Sequence, residues 1–183
     1  MPDNNLQNNI IQCVRPLIGF VAYSGTGKTT LLKQVLPILK TKDLHIGMIK
    51  HAHHNFDIDI PGKDSYELRK AGADQMLVAS RYRWALVTEQ NSHEQDPSLQ
   101  AMIDQLDTSK LDLILVEGFK HSSFAKIELH RPSMAKPLLY PKDKNIIAIA
   151  SDEKLQPDAT IPFLDLNDPQ EIADFVIQYC QAS

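Results

Sequence analysis

A glycine-rich segment between an apolar run and a helix-like run constrains this chain more than any other feature. Residues 22–30 read Ala-Tyr-Ser-Gly-Thr-Gly-Lys-Thr-Thr, preceded by Leu-Ile-Gly-Phe-Val and followed by Leu-Leu-Lys-Gln-Val-Leu. Gly25 and Gly27 let the backbone curl so that its N–H groups point at one anion, and the start of a helix adds unpaired donors. This order of strand, turn and helix predicts a phosphate-binding loop, although Ala22 replaces the usual first glycine.

The polar positions of the loop have predicted roles in holding a nucleotide. Lys28 reaches the β- and γ-phosphates, and the hydroxyl of Thr29 is a ligand for Mg²⁺. Lys28 is also a predicted catalytic residue. The other predicted nucleotide-binding positions of the loop are Ser24, Gly25, Thr26, Gly27 and Thr30.

Length and charge limit the class of protein. The chain has 183 residues, a hydrophobic fraction of 43% and a formal net charge of −4, which predicts a soluble protein and argues against a general nucleic-acid binder. We expect a flexible tail over residues 1–15 and a single nucleotide-binding domain over residues 16–183. No signal sequence or membrane-spanning run is visible, and Cys13 and Cys180 are interpreted as reduced thiols, so a cytoplasmic location is expected.

Apolar runs alternate with amphipathic runs along most of the chain. This alternation predicts an α/β fold of the P-loop NTPase type, in three layers, with a mostly parallel sheet flanked by helices and an added strand pair. The alternating sequence of residues 126–130 predicts a strand with one face in water. The predicted strands cover residues 16–21, 45–50, 75–79, 84–88, 111–116, 126–130 and 146–150, and the predicted helices cover residues 28–40, 64–71, 98–106 and 168–180.

Polar residues follow several of the predicted strands. Ligands of parallel sheets bind outside the carboxyl ends of the strands, so these residues are candidate site residues. Glu117 ends a buried strand and is predicted to hold Mg²⁺ or to orient the attacking water. His51, His53 and His54 are interpreted as a loop that contacts a nucleotide or partner, with a plain solvated loop as the alternative.

Asp57 and Asp59 follow the second strand and share a face if this segment is extended. Two carboxylates in this position are typical of a switch segment that orders with Mg²⁺, and Asp59 is preferred as a metal ligand and catalytic residue because it lies nearer the Pro61-Gly62 turn. A charged loop with a helix cap at Asp64 or Ser65 explains the same residues.

Arginines and aromatic residues stand together in the turn of the predicted strand pair, which reads Ser-Arg-Tyr-Arg-Trp over residues 80–84. Arginine beside aromatic residues often marks an interface or an anion-binding patch. A simple hairpin turn explains the same sequence.

Several blocks together resemble the molybdopterin-guanine dinucleotide biosynthesis protein B (MobB) family. They include the phosphate loop, Ile-Lys-His-x-His-His, Pro-Gly-Lys-Asp-Ser and Val-Glu-Gly-Phe-Lys-His. The resemblance implies a GTP-binding accessory protein with weak GTPase activity in molybdenum cofactor biosynthesis. It implies that a nucleotidyl transferase, protein A of the pathway, transfers GMP from GTP to molybdopterin, and that this chain assists it.

The resemblance also implies partners and a dimer. Its ligands would be GTP with Mg²⁺ and molybdopterin or its guanine dinucleotide, and the strand pair around Arg81 to Trp84 is the candidate contact of a homodimer. The chain has no Asn-Lys-x-Asp run, the usual guanine-reading motif. Ser151 and Asp152, at the end of a predicted strand, are the candidate replacement.

Two other functions fit the same loop. In an ATP-dependent small-molecule kinase, Asp57, Asp59 or Glu117 would deprotonate an acceptor hydroxyl. In a pure binding protein, the nucleotide would only stabilise a conformation for docking. Slow hydrolysis is expected, because the sequence shows no arginine finger or catalytic glutamine beside the loop.

Overall fold

The fold is described from a computed structural model, over residues 11–52, 56–90, 96–155 and 161–182. His53 and His54 and most of the polar linker after residue 90 lie outside these ranges. The chain forms two compact units: Met1–His51 with Ser98–Ser183, and Ala52–Pro97. None of the helices in these ranges is long and apolar enough to cross a membrane.

Eight strands and four α-helices follow one another along the described chain. The strands are β1 (Leu17–Val21), β2 (Ile46–Lys50), β3 (Gln75–Ala79), β4 (Trp84–Thr88), β5 (Leu113–Glu117), β6 (Lys126–His130), β7 (Ile146–Ser151) and β8 (Phe163–Asp165). The helices are α1 (Lys28–Lys40), α2 (Asp64–Lys70), α3 (Leu99–Ile103) and α4 (Pro169–Ala182).

The first unit is a three-layer structure around a parallel sheet. Its six strands have the order β2-β5-β1-β6-β7-β8, and every neighbouring pair is parallel. One core joins the sheet to α1 and α4, and a second core joins it to α3. The strand β1 lies between β5 and β6, so the residues that follow β1 open into the middle of the sheet's carboxyl edge.

The second unit contains α2 and an antiparallel hairpin. The strands β3 and β4 pair over their full lengths, with Leu77 opposite Leu86 and Ala79 opposite Trp84. The turn between them is closed by a hydrogen bond from the Ser80 N–H to the Arg83 carbonyl oxygen, at 2.8 Å. The predicted strand pair is therefore confirmed.

The bounds predicted from the sequence agree with those in the structure to within one or two residues for most helices and strands. The helix α1 has the predicted bounds, with Pro37 inside it, and Asp168 accepts hydrogen bonds from the first N–H groups of α4 as a cap. The helix predicted over residues 98–106 is shorter, because α3 covers only Leu99–Ile103 behind the capping Ser98. The strand β8 was not predicted.

The prediction of a water-exposed face on β6 is wrong. All five residues of β6 are buried, because β1 and β7 pair with its two edges and helices cover the sheet. Lys126 lies at the amino end of the strand, where its Nζ contacts Asp143 Oδ2 at 2.6 Å and the Lys120 carbonyl oxygen at 3.0 Å. Glu128 accepts the backbone N–H groups of Leu139 and Tyr140, both at 2.8 Å. Lys126 and Glu128 thus have polar partners inside the protein.

Both cysteines of the chain are free thiols. Cys13 and Cys180 line the same cavity of about 430 Å³, beside the amino end of β1. Burial raises the pKa of the Cys180 thiol to about 11. Because the thiolate is the reactive form, Cys180 is an unreactive thiol at neutral pH.

Candidate nucleotide-binding site

The predicted phosphate loop lies between β1 and α1. Gly25 and Gly27 have φ angles of 85° and 101°, in the left-handed region that favours glycine. Thr26, between them, is buried and its hydroxyl donates a hydrogen bond to the Tyr23 carbonyl oxygen at 2.8 Å. The loop is therefore curled by its glycines and held closed by its own side chain.

The start of α1 leaves donors next to this loop. Gly27 is the residue before the first helical turn, and no side chain caps its N–H groups. The side chain of Lys28 folds back over the loop, with Nζ 3.5 Å from the Ala22 carbonyl oxygen, while Thr29 and Thr30 are exposed. Uncapped N–H groups beside a lysine form an anion-binding arrangement, because both supply positive charge.

Glu117 ends β5, the strand next to β1. Its carboxylate is mostly buried and forms an ion pair with Lys50 at the end of β2, with 3.2 Å between Nζ and Oε2. The adjacent Gly118 has a φ of 99°, and a Cβ there would lie 2.6 Å from the Cβ of His51. The His51 ring stacks on Phe119 with 4.8 Å between the ring centres. The structure thus brings Glu117 and His51 together through backbone contacts that require a glycine.

Ser151 and Asp152 lie at the end of β7, on the other side of β1. Ser151 is buried, and one carboxylate oxygen of Asp152 pairs with Arg131, which follows β6. Burial lowers the pKa of His130 although the charge of Asp152 acts in the opposite direction. A lowered pKa favours the neutral form of His130, and the cation that contacts Asp152 is Arg131.

Arg131, which the sequence analysis did not single out, lies beside the phosphate loop. Its Nε donates a hydrogen bond to the Thr26 carbonyl oxygen at 3.0 Å. Met134, three residues later, places its sulfur 3.6 Å from the Thr26 hydroxyl oxygen. No local motif marks Arg131, because Thr26 is 105 positions away in the sequence.

The predicted residues Asp57 and Asp59 belong to the second unit. Both carboxylates face Arg69, whose side chain is 4% exposed, with shortest N–O distances of 2.6 and 3.8 Å. Asp59 also accepts hydrogen bonds from the Ser65 hydroxyl and the Ile60 N–H. Arg69 pairs further with Glu89 at 2.5 Å. These contacts give both aspartates a structural role within their unit, and the metal role of Asp59 stays a prediction.

The pKa of Asp57 lies below its ordinary value. The hydrogen bond from the Asp59 N–H is the main cause of this lower pKa. Burial opposes it, and the charge of Arg69 and its hydrogen bond lower the pKa further. The helix cap predicted at Asp64 or Ser65 is not formed, since α2 has Lys63 at its cap position without a side-chain hydrogen bond. In the described part of the chain, no group of three or more His, Cys, Asp or Glu side chains has the geometry of a metal site.

Together, the parallel sheet flanked by helices and the glycine loop between β1 and α1 define the P-loop NTPase-like class of fold. Residues 17–152 match the model of the family described as "Molybdopterin guanine dinucleotide synthesis protein B". The chain belongs to this family.

Relatives and solved structures agree with this assignment. A "Molybdopterin-guanine dinucleotide biosynthesis adapter protein" from Escherichia coli (strain K12) is 53% identical over 91% of this chain and 94% of its own length. The protein of the same description from Haemophilus influenzae is 43% identical over 88% of this chain and 87% of its own. The crystal structure of Bacillus subtilis MobB superposes with a TM-score of 0.73 at 25% identity, over 92% of this chain and 99% of that one.

Proposed function

We propose that this chain is a GTP-binding adapter in the biosynthesis of molybdopterin guanine dinucleotide. The main support for this proposal is the loop with two left-handed glycines and an overlying lysine, which lies at the middle of the sheet's carboxyl edge. Family membership supports the pathway, because the curated relatives are described as adapters of that biosynthesis.

Within this proposal the first unit binds the triphosphate. Lys28 and the N–H groups of the loop hold the β- and γ-phosphates, and the exposed hydroxyl of Thr29 binds Mg²⁺. Glu117 holds Mg²⁺ or orients a water. In the structure its carboxylate is paired with Lys50. The predicted metal-binding and catalytic roles of Asp59 are kept as a separate proposal.

Hydrolysis is proposed to be slow, and the chain is proposed to act on a partner. Such an adapter presents GTP to the nucleotidyl transferase of the pathway, or receives the molybdopterin product from it, in the cytoplasm. Ser151 and Asp152 read the guanine base, since they lie at the carboxyl end of β7 on the same edge as the loop. His51, stacked on Phe119 beside Glu117, completes the set of proposed nucleotide contacts.

Calorimetric titration with GTP and ATP in the presence of Mg²⁺ tests this function. We expect GTP to bind at least about tenfold more tightly than ATP, because a carboxylate accepts hydrogen bonds from guanine that adenine does not offer. Equal or tighter binding of ATP would contradict the proposal and favour a small-molecule kinase. If neither nucleotide binds, the proposed role of the loop in nucleotide binding is wrong.

A homodimer through the hairpin is proposed because both faces of that hairpin carry exposed apolar side chains. Leu77, Leu86 and Trp84 lie on one face, and their exposed fractions are 60%, 44% and 70%. Val78 lies on the other face and is 46% exposed. A two-stranded sheet of this kind is marginal in water, and a second copy of the chain would bury these side chains.

Sedimentation measurements with the double variant Leu77→Glu/Leu86→Glu test the dimer. The wild-type chain is expected at twice its mass of 20.6 kDa, and the variant at the monomer mass, because two carboxylates cannot be buried in an apolar interface. Lys42→Glu, an exposed charge reversal in the first unit, is expected to leave the dimer intact. A monomeric wild-type chain at tens of micromolar would refute the dimer.

A further inference from the structure

Arg131 joins two parts of the proposed nucleotide site. It follows β6, and its guanidinium donates from Nε to the Thr26 carbonyl oxygen of the phosphate loop. The Nη1 of the same group pairs with Asp152 Oδ2 at the end of β7. One planar side chain therefore connects the loop that holds phosphate with the carboxylate proposed to read the base.

The contact with Arg131 uses only one of the two carboxylate oxygens of Asp152. The other, Oδ1, is buried, and within the described ranges it has no hydrogen-bond partner. A buried acceptor without a donor is costly to the folded state, so the site favours a ligand that supplies donors. Guanine carries two neighbouring donors, its ring N1–H and its 2-amino group, whereas adenine has an unprotonated N1 and no 2-amino group.

The backbone around Arg131 is fixed against the phosphate loop as well. The sulfur of Met134 contacts the Thr26 hydroxyl, and its terminal methyl group would lie 3.7 Å from a Cβ at Gly25. A short 3₁₀ helix, Pro132–Met134, follows Arg131 and ends at Ala135 with a φ of 50°. The guanidinium is therefore presented from a segment that itself packs on the loop.

We propose that Arg131 is a positioning residue for base selection in this site. It holds the Asp152 carboxylate in place through Oδ2 and leaves Oδ1 for the base, and it couples this carboxylate to the phosphate loop through Thr26. The fork of an arginine suits this task because its donors point in fixed directions, which a lysine ammonium cannot reproduce. The inference rests on the proposed function, since it assigns specificity within the same nucleotide site.

The test compares Kd values of the full-length wild type, Arg131→Met and Arg131→Lys for GTP and ATP, each with Mg²⁺. Arg131→Met is expected to weaken GTP binding by about tenfold or more and to change ATP binding by less than about threefold. Arg131→Lys is expected to recover little of the preference. Equal losses for GTP and ATP would overturn the inference by showing a phosphate contact, and unchanged binding of both would overturn it as well.

A double-mutant comparison separates positioning from mere stability. In the wild-type background, Asp152→Asn is expected to shift preference from GTP to xanthosine triphosphate, because the amide can donate to the 2-oxygen of xanthine. In the Arg131→Met background, Asp152→Asn is expected to change the preference between GTP and xanthosine triphosphate only slightly, because the introduced amide would lack the contact that fixes its orientation. A full change of preference to xanthosine triphosphate in both backgrounds would contradict the proposed coupling between Arg131 and Asp152.

Two controls keep these outcomes distinct. The first control is the thermal midpoint of each variant, which shows whether it is folded. The second is Arg131→Gln, which keeps a donor but loses the charge and replaces Arg131→Met if the latter fails to fold. Arg131→Gln is expected to show the same loss of GTP preference. If the wild type binds GTP in a Lys28-dependent way and Arg131 variants keep its base preference, only this inference fails. If the wild type binds no nucleotide, the proposed function and the inference fail together.

Discussion

The Lys28→Ala variant is expected to bind GTP at least about 100-fold more weakly than the wild-type chain. Lys28 is the cation that overlies the loop, with Nζ 3.5 Å from the Ala22 carbonyl oxygen. When GTP binds, this ammonium group is expected to leave the carbonyl oxygen and contact a phosphate. Alanine keeps the helix, because it has the highest helix propensity. Titration calorimetry with GTP and Mg²⁺ measures the loss directly.

The matched control is Lys33→Ala, which removes an exposed lysine from the same helix α1. This variant has the same change in net charge and should bind GTP within about twofold of the wild type, because exposed charges at a distance are screened by salt. Thermal unfolding checks that both variants are folded. A folded Lys28→Ala protein with near-normal GTP affinity would show that the loop is not the phosphate site.

The Asp143→Ala variant is expected to lower the free energy of unfolding by about 3 kcal/mol. Lys126, on β6, is 1% exposed, and Asp143 is its charged partner at 2.6 Å. Removing the carboxylate leaves the ammonium group buried, with the Lys120 carbonyl oxygen and the Phe124 ring as its remaining contacts among the described residues. For a chain of this size, the thermal midpoint should fall by roughly 6–12 °C.

Two further variants test the cause of this loss. Asp107→Ala removes an ion pair with the same N–O distance of 2.6 Å, but its side chains are 54% and 80% exposed, so no measurable change in thermal midpoint is expected. The double variant Lys126→Met/Asp143→Leu should recover most of the stability, because apolar residues of similar volume replace a buried pair well. A double variant as unstable as Asp143→Ala would contradict this explanation.

The contribution of Asp143 should depend on pH in a defined direction. Burial alone would raise the pKa of this carboxyl, but hydrogen bonds from Lys126 and Asn145 outweigh burial and hold the pKa below its ordinary value. A depressed pKa means that the stabilisation is present above the unfolded value near pH 4 and is lost as pH falls through the folded value. The stability difference between wild type and Asp143→Ala should therefore narrow below about pH 4. A constant difference from pH 7 to pH 3 would contradict it.

Elements with strong local signals were predictable, and those whose character depends on distant partners were not. The helix α1 follows a glycine loop, and β3 and β4 flank a polar turn, so their bounds are visible in short stretches of sequence. The strand β8 has three residues, too few to show a period. The burial of Lys126 and Glu128 depends on the loop over residues 139–143, which no window around β6 contains.

The candidate site divides in the same way. Its loop and the ends of its strands are visible in the sequence, because glycines, a lysine and strand-terminal acids stand at fixed local positions. Arg131 was invisible, because its significance comes from the Thr26 carbonyl oxygen and the Asp152 carboxylate. The contacts of Asp57 and Asp59 with Arg69 depend likewise on a partner ten or more positions away.

The hairpin of the second unit has edges as well as faces. In the described chain β3 and β4 form a sheet of two strands, so each has one side of unpaired N–H and C=O groups next to exposed apolar residues. Such edges are templates for strand addition by any other chain with the same property. For the proposed dimer, dilution would then be a destabilising condition in itself, and crowded overexpression would favour disordered aggregates over correctly paired copies.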